Sequence, residues 1–133
     1  MIDIESMVYS MVSDAVRVAY PQAEVVSVTT FSPARFPCVC IEETDNYDLR
    51  STQDSASNEN HVVSVLEVNV YSNRASGKKT EAKDILSVVD NTLLSLGYSR
   101  TSRTPINLDD ATKYRLFARY DAVISKDKTI YRR

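Results

Sequence analysis

His61 is the single histidine of the chain, so any serine or cysteine nucleophile would have to use it as base. It stands at the mouth of a strand-like run with no nucleophile elbow nearby, which makes it a loop-end histidine. Cys38, Cys40 and His61 supply three zinc ligands where a structural site takes four, at a spacing that suits no finger or ribbon. The two glycines, Gly77 and Gly97, cannot build a glycine-rich phosphate cradle. Glu42 and Glu43 are adjacent on a strand and point to opposite faces, so they do not share an acid/base site. These residues predict no enzyme, no metal and no cofactor.

Nucleic acid is a stronger rival. Tyr98, Arg100, Arg103, Tyr114, Arg115, Phe117, Arg119 and Tyr120 interleave cations and aromatics on what read as neighbouring strands, as a base-stacking sheet would. Against this, Arg115, Phe117 and Arg119 oppose Tyr114, Leu116 and Tyr120 across the last of those strands, so half the aromatics belong to a core. An RNA-binding α+β domain is therefore retained only as an alternative, since the chain as a whole is acidic, with a net charge of -2.

The elements that would position these groups are legible from periodicity. His61 to Ser72 alternates, with Val62, Leu66, Val68 and Val70 on one face and Glu67, Asn69 and Tyr71 on the other, which predicts a half-buried central strand. Ala82, Ile85, Leu86, Val89, Leu93 and Leu96 then fall on one stripe of a helix, which Gly97 ends as a Schellman motif with Tyr98 folding back over Leu93. Upstream, Asp3 is placed to cap a first helix with the stripe Ile4, Val8, Met11, Val12, Ala15 and Ala19, flanked by Met7 and Val18 and ended by Tyr20-Pro21. Ala23 to Thr30 and Cys38 to Glu43 read as strands separated by the proline-punctuated Phe31 to Pro37, giving a meander with the central strand. Tyr98 to Thr104 reads as an edge strand, Pro105 to Ala111 as a turn and Thr112 to Ile124 as the last strand.

The resulting order, α-β-β-β-α-β-β, is an α+β fold with two helices packed on a mixed, mainly antiparallel sheet. At 133 residues the chain fits a single domain over 1–133. Two segments stand apart from the core. Residues 44–60 form a long polar loop whose only strong anchors are Tyr47, Leu49 and Arg50, and its surplus length predicts contact with a partner, a tolerated surface insertion being the alternative. Residues 125–133 form a basic C-terminal tail.

Cys38 and Cys40 lie two apart on a strand, where no ordinary intrachain disulfide forms, which predicts a reducing compartment. No apolar run is long enough to span a bilayer, and Asp3 and Glu5 stand where a signal peptide would be basic. Charge is unevenly placed: three basic residues face ten acidic ones up to Asn60, whereas nine basic face four acidic ones from Gly97 onward. Such a chain either pairs its own two ends, as solvated charge runs do, or associates with a copy of itself head to tail, with Arg115 and Arg119 on the basic side. On the second helix Val88 and Leu94 lie off the core stripe on opposite flanks, where they would either cover the rim of the core or meet a neighbour.

Four stretches in order resemble the small tail terminator (tail completion) proteins of long-tailed bacteriophages and prophages: the N-terminal helix; Phe36-Pro-Cys-Val-Cys-Ile-Glu-Glu43; Glu67-Val-Asn-Val-Tyr-Ser-Asn73 leading into a lysine-rich helix start; and Leu96-Gly-Tyr98 followed by the Tyr114 to Tyr120 strand. The resemblance implies helices flanking a mixed sheet and a structural, non-enzymatic role. It further implies a hexameric ring in the virion tail, assembled in the bacterial host cytoplasm, that caps the tail tube and provides the head-joining surface. Its partners would be copies of itself, the tail tube protein and the head-tail connector protein. DNA would pass through the ring without specific binding. Head-tail connector or neck proteins of similar size are the alternative from the same assembly, and a small dimeric adaptor is one from another class.

Overall fold

The computed structural model describes residues 1–49 and 60–131. Helix α1 (Glu5–Ala19) precedes β1 (Glu24–Val26), β2 (Cys38–Asp48) and β3 (His61–Ser72). Helix α2 (Lys78–Leu96), β4 (Ser99–Ile106), β5 (Tyr114–Ser125) and β6 (Ile130–Tyr131) follow. The strands run in the order β1-β2-β3-β5-β4, with β6 also paired to β5. This is the α+β fold read from the sequence, in the predicted order, with β6 added. All pairings are antiparallel except β1 with β2.

Each helix is amphipathic, and both bury their stripes on one face of the sheet. Val8, Val12 and Val16 of α1 and Ala82, Ile85, Leu86, Val89 and Leu93 of α2 join Val62, Leu66, Val68 and Val70 of β3 in one cluster. Alternate residues of β5, Leu116 to Ile124, complete it. Helix α2 ends as its sequence predicts: Gly97 is left-handed, with φ 116°, and the Tyr98 N–H donates to the Leu93 carbonyl at 3.0 Å.

Six expectations need correction, the last of them the burial of β3. Helix α1 buries the i, i+4 row Ile4-Val8-Val12-Val16, while Met7, Met11 and Val18 face solvent, because the sheet beneath covers a narrower stripe than a broad flat packing would. Asp3 is not the capping residue; Ile4 is, although Asp3 Oδ1 accepts the Glu5 N–H at 2.9 Å. The first strand is only three residues long and pairs parallel to β2, so β1, β2 and β3 are not a meander: the segment from Ser27 to Pro37 returns the chain to the same end. The polar loop begins later than residue 44, since β2 runs to Asp48 and pairs with β3 through a register shift between Glu43 and Asp45. Backbone pairing there overrides the low apolar content of Thr44 to Asp48; the rest of that loop, 50–59, lies outside the described residues. The tail contains β6, paired to Val123 and Ile124, with residues 132–133 outside the described part.

Strand β3 is also more buried than half. Val63, Val65, Asn69 and Tyr71 on its second face are all buried. At one end of that face Cys38, Cys40 and Tyr71 form a second cluster under Val26 of β1 and under Phe36 and Leu108, the last two contributed by the connections before β2 and before β5.

Candidate interaction surface

The candidate catalytic and metal-binding groups are kept apart by the sheet. Cys38 pairs with Tyr71 at one end of β3, whereas His61 pairs with Ser125 at the other. Both cysteines are free and buried, and the hydrogen bond with Cys40, with burial, pushes the Cys38 thiol up. Among the described residues no group of three or more His, Cys, Asp or Glu is placed to hold a metal ion, and no helix is long and apolar enough to cross a membrane. The proposed base-stacking aromatics are largely internal, since Tyr98 and Tyr120 are fully buried on the helix side.

What remains at the surface is a sheet whose charge is sorted by position. Strand β4, carrying Arg100 and Arg103, is one edge of the sheet. The opposite side carries Glu24 on β1, and Glu42, Glu43, Asp45 and Asp48 on β2. The asymmetry along the chain thus becomes an asymmetry across the sheet, because chain order and strand order run roughly together.

The seven residues singled out from the sequence fare differently. Tyr47 is 42% exposed on β2, and the Leu49 N–H donates to the His61 carbonyl at 2.9 Å, continuing the ladder. Arg50 lies outside the described residues. Val88 packs on the rim of the chain's own core, and Leu94 is partly buried on the opposite flank of α2. Arg119 is exposed, with its guanidinium 3.8 Å from Glu67. Arg115 is committed internally: its Nε donates to Asn69 Oδ1 at 2.8 Å, and its guanidinium lies over the rings of Phe31 and Tyr71 at 5.3 and 5.5 Å.

Two surface features lie outside the sequence expectations. Met7, Met11 and Val18 share one exposed flank of α1, a spacing visible in the sequence but masked by their assignment to the core stripe and its edges. Phe31 is 74% exposed, and nothing in a proline-rich connection signals which aromatic turns outward.

The acidic side has a wired interior. The Glu43 backbone N–H donates to Glu5 Oε2 at 2.6 Å, so a carboxylate from α1 closes off the outer edge of β2 at that point. The Glu43 carboxylate accepts from Ser64 Oγ at 2.6 Å and from Asn46 Nδ2 at 3.1 Å. Ser64 in turn lies 3.0 Å from the Tyr98 hydroxyl, which burial pushes up to about 12. Burial raises the Glu43 pKa above its ordinary 4.5, the hydrogen bonds from Ser64 and Asn46 oppose this, and the charges of Asp3 and Glu5 add to it. The folded chain therefore holds this proton more tightly than the unfolded chain, and the associated stability is lost as pH rises from about 4.5 through the raised value. Urea unfolding across that range should show a shallower decline for Glu43→Gln than for the parent. Identical slopes would remove Glu43 as the source.

No family model matches the chain, and no curated protein matches it in sequence. Its fold is similar to that of a chain in the "Virion of native gene transfer agent (GTA) particle", at 13% identity and a TM-score of 0.61. The match covers 85% of this chain and 90% of that one. The likeness is therefore one of fold over nearly the whole of both chains.

Proposed function

We propose that the chain is a structural protein of a phage-like virion and, within such a particle, the tail terminator: a ring that caps the tail tube, stops its growth and offers a surface to the head. The observation that carries the virion reading is the end-to-end likeness to a chain of a gene transfer agent virion, itself a phage-like particle. The narrower tail role rests on the four sequence stretches that resemble terminators. The sorting of charge to opposite sides of the sheet supports it, since a ring built by rotating one subunit onto the next needs two different, complementary patches on each copy. The role requires positioned surfaces and no turnover.

Deleting the coding sequence from a producing genome and imaging the lysate tests this. A terminator's absence should leave tail tubes of uncontrolled length without heads. Tubes of normal length beside filled heads would instead indicate a neck protein, and normal infectious particles would overturn the virion role altogether. Sedimentation of the purified chain should give a mass about six times that of one subunit; a twofold mass would favour the adaptor.

A further inference from the structure

We infer that the β4 edge of one copy docks on the β1–β2 side of a second copy, with Arg103 entering an acidic groove there. This rests on the reading that copies of the chain assemble, and names the surfaces that meet.

Both sides of the sheet are incomplete. Among the described residues strand β4 has a partner on one side only. At the other side β1 ends at Val26 opposite Cys40, and among the described residues no strand lies outside β2 from Ile41 to Asp48. Exposed strand edges invite further association unless they are blocked or used. Direct strand addition to β2 is obstructed where Glu5 occupies the Glu43 N–H, so the contact is made by side chains.

The groove opens where β1 stops. It holds about 490 Å³ between α1 and the segment after β1, and its lining includes Glu5, Glu42, Glu43 and Val28 with no basic residue. Val28 is well exposed, although apolar. Glu42 spends one oxygen on Thr29. With no cation in its lining, the groove sets the remaining Glu42 oxygen beside an apolar wall, which suits a guanidinium on an aliphatic stem.

At the opposite edge, Arg100 is held by Asp90 at 3.0 Å. Arg103 is exposed, and its side chain has no hydrogen bond or ion pair among the described residues. It is the available cation on that edge. Because groove and arginine lie on opposite sides of one sheet, the contact is heterologous: each copy gives one and receives one, so the operation repeats and forms a ring where its rotation closes.

Charge reversal with rescue tests this on the full chain, with assembly followed by sedimentation and folding by circular dichroism. Arg103→Glu should raise the concentration at which the assembly half-forms by roughly thirtyfold, the scale of removing one partner of a desolvated charge pair. Glu42→Arg should do the same, and Glu42→Arg with Arg103→Glu in one chain should return most of the loss. A folded Arg103→Glu variant that assembles like the parent overturns the inference while leaving the assembly reading intact. So does a double variant no better than either single one. A parent chain that stays monomeric at every concentration overturns both.

Discussion

Arg115→Ala is expected to destabilise the chain by about 2 to 4 kcal/mol, more than an exposed arginine would. The guanidinium is the donor to Asn69 Oδ1, and Asn69 is only 2% exposed, so its loss leaves a buried acceptor without that donor. It also removes the cation lying over the rings of Phe31 and Tyr71, a contact that connects the segment after β1 to the sheet. Arg115→Lys should recover part of the loss, because an ammonium restores charge over the rings but lacks the planar fork. Chemical denaturation of the three proteins measures this. If Arg115→Ala unfolds at the parent's midpoint, these contacts contribute little and Arg115 returns to consideration as a surface for partners. Otherwise, an assembly defect caused by changing Arg115 would report a damaged subunit, whereas the same defect in Arg103 variants would report the interface.

Gly97→Ala should cost about 2 kcal/mol, from two separable causes. The backbone there has φ 116°, and an added Cβ would lie 2.9 Å from Ile130 Cγ2. Pairing the change with Ile130→Ala removes the collision and leaves the backbone strain, so the two substitutions should be non-additive, with the double variant more stable than the sum predicts. Strict additivity would mean that β6 shifts freely and that only the backbone matters. An unchanged midpoint for Gly97→Ala would mean that neither cause operates.

Strands and helices with a strong period were readable because packing repeats along them. The α2 stripe and its glycine end needed only local information, and β3 and β5 announced themselves by alternation. Strand β1 is shorter than its composition implies because Val28 and Thr29 continue that composition while the chain has already left the sheet to return past β2. The Thr44 to Asp48 part of β2 was missed because its partner, the first half of β3, supplies the reason for it to be a strand, and pairing is not a property of the segment alone. The same holds for Arg115. Nothing in its sequence neighbourhood reveals that Asn69 and Phe31 converge on it, 46 and 84 positions away by residue number. The charge asymmetry, by contrast, carried over to space because strand order follows chain order closely enough to keep the two halves apart.

The buried thiols give the chain a built-in reporter. Cys38 and Cys40 sit at 1% and 0% exposure on β2, at the stretch covered by β1, and the hydrogen bond with Cys40, together with burial, keeps the Cys38 thiol protonated. A thiol-specific reagent can then react only during excursions that lift β1 and the Phe36 connection away, so its rate under gentle conditions measures how often that side of the sheet opens. A neighbouring copy seated against the same side would slow the labelling in proportion to occupancy. Modification kinetics would thus read out assembly from inside the subunit, without a tag or a mutation.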